Sequence, residues 1–277
     1  MSDKKTITKD MLSADLRALG LESGDWVAVH SSLKSIGWVQ GGPVSVIEAL
    51  HNVVGPGGGI MMPLFSRPGG VRIDLAVTPT YLGIMPETFR KYPGVVRSAH
   101  PTHSVGILGP REKAEKMAEA HRHSGYISPG GPYDLLAGMG GKVLHVGCKW
   151  NTSSILHLAE VLADVPYVHI TYEEWSYGVY GRHTDGSVIS DVPRYVPGDS
   201  VGFCLIQEEM GRQGMLSTGR VGEADSVLAS AAQMLEVGTE MLRDDPWRFL
   251  CDFDDCEACL GAKELKKELE QLGREKA

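Results

Sequence analysis

No stretch of this chain approaches the length of a membrane span. Residues 1–10 are polar and lysine-containing, unlike a signal peptide. The expectation is a cytoplasmic protein with no membrane partner. An excess of positive charge is also missing. Lys and Arg number 27 against 35 Asp and Glu, a formal net charge of -8 at pH 7. That balance argues against a nucleic-acid binder. It fits ordinary solubility and equally a cationic substrate. There are only five cysteines, an odd number and no disulfide framework. Cys251, Cys256 and Cys259 do cluster and include one C-x-x-C pair. Zinc would need a fourth ligand, and no histidine follows His183. Thiols that merely pack are the preferred reading, and no metal is expected. Three catalytic signatures are absent: the G-x-S-x-G elbow, the Walker-type phosphate loop and H-E-x-x-H. The run Gly55–Gly59 follows a predicted helix rather than opening one, so it is punctuation and not a dinucleotide loop.

What is present is ordinary globular composition, 42% hydrophobic and 22% charged. Length allows one large domain or two small ones, and with no repeat or low-complexity linker one domain is preferred. Leu12, Leu16 and Leu19 give an early helix one apolar face. Trp26–His30 reads as a buried strand, Pro43–Val54 as a helix and Ile60–Met62 as a second strand. Strand, helix, strand in this order predicts a parallel, right-handed crossover. A Gly- and Pro-rich loop follows over 64–81, long enough to suggest function. Met85–Lys91 and Arg111–His123 read as helices, Val105–Leu108 and Lys142–Val146 as strands, and Ser153–Ala163 as a helix. Tyr167–Tyr172, Tyr177–Tyr180 and Val188–Tyr195 look β-rich. Pro197–Gly211 and Ala224–Leu242 read as helices around a strand near Met215–Val221. The tail from Leu260 alternates Lys and Glu like a solvated helix.

Chemistry concentrates in three places. His157 and Glu160 lie three residues apart, on one face of a helix that follows a strand. Asn151, Thr152 and Ser153 add polar groups at its start. Open parallel sheets collect ligands beyond the carboxyl ends of their strands. A core histidine satisfied by one hydrogen bond is the plain alternative. The second place is His30–Gly37, a strand running into a serine-rich turn whose backbone N–H groups can meet a carbonyl or phosphate oxygen. The third is Arg97–Ser104, where Arg97 suits an anion and Ser104 can donate to a carbonyl. A base beside such a cradle suggests group transfer. Metal-dependent hydrolysis on His157, Glu160, Asp164 and His169 stays open, as does a non-catalytic small-molecule binder.

These blocks also stand in a familiar order. Val29–Gly37, Gly41–Pro43, Val54–Gly58, Met62–Pro63, Gly83–Arg90, Arg97–Val105, Ser128–Pro129, Gly131–Leu136, Gly140–Leu144, Asn151–Ser153 and Leu156–Glu160 together resemble the aminoglycoside N(3)-acetyltransferase family, the antibiotic acetyltransferases of non-GNAT fold. The likeness covers about the first 170 residues, with a looser match at Gly219–Ala224. It implies an α/β protein: a three-layer α/β/α core with a central, mostly parallel sheet. The whole of 1–277 would be one acetyltransferase domain, with a small β-rich insertion near 167–197 and a helical tail near 244–277. It implies acetyl-CoA as cosubstrate and an aminoglycoside or related cationic aminosugar as acceptor, with the protein a monomer or homodimer. His157 would be the catalytic base, assisted by Glu160, with Ser104 helping to steady the oxyanion. Ser31, Ser32, Leu33, Lys34, Ser35, Ile36, Gly37, Arg97, Ser98 and Ser104 would hold the CoA arm and thioester. Asp74, Glu160, Glu173, Glu174 and Asp185 are the candidates for substrate ammonium groups. Direct attack on the thioester is expected, because no cysteine belongs to the matched blocks. Gly59 stands where the family often has threonine.

Overall fold

A computed structural model describes residues 6–66, 73–100, 102–124, 127–169, 181–182, 187–189, 199–254 and 256–275. A short strand, β1 (Thr6–Ile7), leads into α1 (Lys9–Ala18), where the Thr8 hydroxyl accepts the Met11 N–H at 3.3 Å. Next come β2 (Trp26–Ser31), the single-turn α2 (Leu33–Ile36), β3 (Trp38–Val39), α3 (Gly42–Val54) and β4 (Gly59–Pro63). Gly41, at φ 82, makes the entry to α3 that a side chain would resist, and Pro43 sits in its first turn. The chain continues through β5 (Ile73–Asp74), α4 (Ile84–Arg90), β6 (Val96–Arg97), β7 (Val105–Leu108), α5 (Arg111–His123), α6 (Pro132–Gly138) and β8 (Lys142–Val146). Then follow α7 (Leu156–Leu162), β9 (Gly181–Arg182), β10 (Val188–Ile189), α8 (Cys204–Arg212), β11 (Ser217–Val221), β12 (Ala224–Ser230), α9 (Ala231–Asp244) and α10 (Glu257–Glu275).

Seven strands form the main sheet in the order β11-β12-β8-β2-β4-β7-β6. Its heart, β8-β2-β4, is parallel, as the predicted crossover requires; the flanking pairs are antiparallel. Alternation along β2 explains the layers. Trp26 and Ala28 point into one apolar cluster with α5 to α9, and Val27 and Val29 into another with α1, α3 and α4. Helices on both faces of one sheet give the expected α/β/α sandwich. Gly59 has a steric reason: a Cβ there would meet the Trp26 ring at 2.5 Å. The indole occupies the space a threonine would need.

Three expectations change. Ala224–Leu242 is not one helix; its first part is β12, and α9 begins after the Ser230 cap. In Ala224–Ser230 the alternation of buried and exposed positions, paired to β8, overrides helix propensity. The helix expected over 197–211 begins as a 3-10 turn, Val201–Phe203, before α8. Tyr167, expected in a strand, lies instead in a 3-10 turn, Pro166–His169. The rest of that β-rich stretch is described only at β9 and β10, which join β5 in a small sheet. Tyr177–Tyr180 lies outside the described residues.

Candidate active site

Parallel β2, β4 and β8 end at the same edge, and their carboxyl ends surround a cavity of about 320 Å³. Ser31 and His30 line it from β2, Pro63 from β4, and Cys148, Asn151–Ser154 and His157 from the segment after β8. The His157 imidazole and Ser31, which opens the serine-rich bend, lie 126 residues apart in the chain (157 − 31) yet face one space. His103, Tyr81 and Ser200 close its far side.

His157 sits in α7, 16% exposed, with its Nδ1 at 2.7 Å from Glu160 Oε2. The other carboxylate oxygen, Oε1, accepts from the Tyr167 hydroxyl at 2.8 Å. Glu160 is fully buried, so both its oxygens need donors, and these two supply them. Burial, and after it the Glu160 charge, pushes the Tyr167 phenol up, so the phenol keeps its proton and donates. A carboxylate on Nδ1 fixes the neutral tautomer of His157 with its lone pair on Nε2. The Phe203 ring meets the imidazole edge-on at 4.8 Å. Sequence reading does not find Tyr167 or Phe203 as site residues. Tyr167 stands seven positions after Glu160, a spacing with no motif behind it.

The other imidazoles nearby are held neutral. Burial lowers His30 to about 4 and His145 well below its usual value, the latter also through His30. The two rings stack at 5.0 Å, and His145 stacks on Trp150 at 5.4 Å. Burial, then the nearby His157, lowers His103 in the same way. Burial raises the Cys148 thiol, which opposes the thiolate that a covalent route would need.

The other predicted site residues take the following places. Arg97 commits five hydrogen bonds inside the protein, to the carbonyls of Leu64, Leu75 and Thr78 and the hydroxyls of Ser66 and Ser104. Ser104 is buried and donates to Leu64 O at 3.0 Å. Ser98 accepts from Val105 N and pairs with His121. None of these three is among the residues lining the cavity, and their hydrogen bonds clasp the surrounding loops together. Ile36 is buried in the core. Gly37, at φ 100, has no room for a Cβ beside Glu223 and Ile7. Ser32 caps α2, and Ser35 ties the bend to Gly147 O at 3.1 Å. Leu33 and Lys34 belong to the same turn. Asp74 caps its own turn through Ala76 N at 3.0 Å and does not line the cavity. Glu173, Glu174 and Asp185 lie outside the described residues. The alternative metal set, His157, Glu160, Asp164 and His169, is not among the groups of converging donors in the described residues. Among the described residues the one group of converging metal donors lies elsewhere in the molecule.

Comparison with known proteins adds the following. The family model for aminoglycoside 3-N-acetyltransferase matches residues 28–243. The aminoglycoside N(3)-acetyltransferase VIII of Streptomyces fradiae is 33% identical over 264 residues, covering 85% of this chain and 92% of that protein. The apoenzyme structure of aminoglycoside acetyltransferase AAC(3)-IVa superposes with a TM-score of 0.81 at 29% identity, covering 95% of this chain and 99% of that one. A variant of that enzyme was solved in complex with a gentamicin. AAC-IIIb, solved as a binary complex with CoASH, gives a TM-score of 0.77 at 29% identity, covering 90% of this chain and all of that one.

Proposed function

Because the chain belongs to the aminoglycoside 3-N-acetyltransferase family, we propose that it moves the acetyl group of acetyl-CoA to the 3-amino group of an aminoglycoside antibiotic. The observation that carries the reading is one hydrogen-bonded line, Tyr167 to Glu160 to His157, ending at the cavity that Ser31 also lines. An amine at neutral pH is mostly ammonium and has no lone pair to offer. His157 Nε2 takes one proton from the ammonium, and the lone pair so freed attacks the thioester carbonyl. The nitrogen–carbon bond forms and the carbon–sulfur bond breaks; the second proton lost by the nitrogen passes to the sulfur, CoA leaves as the thiol, and His157 releases its proton to solvent. Glu160 fixes the ring and stabilises the imidazolium; Tyr167 keeps the buried carboxylate satisfied. General-base assistance of this kind is worth about 10²–10⁴ in rate, and holding the two reactants together contributes the rest.

The Ser31–Ser35 bend supports a cradle for the thioester end of the cosubstrate, with Ser153, buried at the cavity wall, as a further donor. Attack is direct, since the one cysteine lining the cavity, Cys148, is held as a thiol. The test is thiol release from acetyl-CoA with a panel of aminoglycosides, some blocked at the 3-amino position. We expect turnover on the free amines and none on the blocked ones; equal activity on both overturns the regiochemistry. His157→Ala should lose about 10²–10⁴ in kcat while still binding CoA by calorimetry. Wild-type turnover by that variant would remove the base from the mechanism.

A further inference from the structure

Away from the cavity, four metal-ligating side chains converge. One donor atom each from Asp199, Cys251, Cys256 and Cys259 lies within 4.8 Å of all the others. Cys251 and Cys259 are buried, and Asp199 and Cys256 are half-buried. The three sulfurs come from a C-x4-C-x2-C stretch that turns into the start of α10, where Cys259 N donates to Cys256 O at 3.0 Å. The carboxylate arrives from 52 residues upstream (251 − 199). From these residues we propose that the protein carries a structural zinc ion bound by Cys251, Cys256, Cys259 and Asp199.

The donor chemistry selects the metal. Three sulfurs and one carboxylate suit zinc rather than the hard cations magnesium or calcium, which take oxygen shells. Four protein ligands close the tetrahedron and leave no position for substrate, which makes the site structural. Zinc–sulfur bonds of about 2.3 Å separate tetrahedral sulfurs by about 3.8 Å, so the present spread needs only a small contraction. The carboxylate is already oriented. Its Oδ1 accepts from Val201 N at 2.8 Å, and Cys256 Sγ approaches Oδ2 at 3.0 Å. Lys263 places its ammonium 4.0 Å from Cys251 Sγ and anchors on Phe253 O, so a cation stands beside sulfurs that become thiolates on binding.

The position of the cluster gives it a purpose. Asp199 leads directly into Ser200, which lines the active cavity, and Phe203, which packs on His157. Gly202 lies so close to the Phe249 backbone that a Cβ would sit 2.4 Å from its carbonyl oxygen. Phe203 and Phe249 also meet edge-on at 5.9 Å. An ion at the four donors fastens the 249–259 segment to the strip that walls the site.

The experiment measures zinc in the full chain, purified without a metal-affinity step and dialysed, by plasma mass spectrometry. We expect about one zinc per chain, bound thiols that resist a thiol reagent until a chelator is added, and a lower Tm after chelation. Cobalt(II) in place of zinc should give the visible bands of a tetrahedral thiolate complex. Cys256→Ser, at a half-buried position, and Asp199→Asn, which preserves the hydrogen bond to Val201, should each lose or weaken those bands while circular dichroism shows the fold intact. The proposal is overturned by folded protein that contains no zinc and takes up no cobalt with its thiols fully reduced. It is equally overturned by a disulfide among the three cysteines that persists in protein prepared under reducing conditions.

Discussion

At the scale of single residues, the site is decided by which groups are satisfied. Glu160 is buried with one donor for each oxygen, so removing either donor leaves an unpaired lone pair in a dry place. Tyr167→Phe should therefore cost about 1–3 kcal/mol of stability. It should also lower kcat more than it raises KM, because it acts through the base rather than on substrate. Chemical denaturation and steady-state kinetics on one preparation check both. Cys148→Ala should stay within a few-fold of wild-type activity, since a raised thiol at the cavity wall is not a nucleophile. Loss of turnover with an unchanged circular dichroism spectrum would revive a covalent route. His157 and Glu160 are legible from their three-residue spacing alone. Tyr167 is not, because its hydroxyl reaches Glu160 only after the chain turns through Pro166–His169.

At the scale of elements, two contacts fix how strands and loops meet. The Trp26 ring of β2 lies over Gly59 of β4, so adjacent parallel strands share one volume. Gly59→Thr should destabilise by about 1–3 kcal/mol through overpacking. Pairing it with Trp26→Val should recover part of that loss, a coupling that a double-mutant cycle in urea measures. Arg97 gathers the carbonyls of Leu64, Leu75 and Thr78 onto β6 and β7. Arg97→Lys keeps the charge but not the fork of donors. It should lower Tm by several degrees and speed proteolysis near Leu75 and Thr78. Sequence reading assigns Arg97 to an anion because guanidinium groups often serve that role. Nothing in linear order shows that carbonyl groups will surround it. The run Ala224–Ser230 misleads for a related reason: its edge against β8 exists only in the assembled sheet.

At the scale of the whole molecule, buried neutral imidazoles make stability depend on pH. His30, His100, His103 and His145 are all held below their usual value, chiefly by burial. Unfolded chains bind protons at these sites near the ordinary histidine range; the folded protein does not until far lower pH, about 4 for His30. The unfolded state thus holds more protons between about pH 6.5 and 4, so stability falls as pH drops through that window. Calorimetric scans from pH 8 to pH 5 should show Tm level above about pH 7 and declining below it. A flat Tm across the window would mean these rings are charged in the folded protein. No helix among the described residues is long and apolar enough to cross a membrane.

Local chemistry was enough to place much of this molecule. Continuous apolar strands, capped helices, the crossover through α3 and the face shared by His157 and Glu160 all follow from neighbours within a few residues. Those are interactions a linear sequence states outright. What the tertiary structure alone decided involves partners far apart in the chain. It joined the Ser31 bend to His157 across one cavity, turned Arg97 and Ser104 inward, and brought Asp199 to three distant cysteines. Each of these depends on where the sheet edge and the tail come to rest, and that is set by the burial of the whole core rather than by any spacing along the backbone.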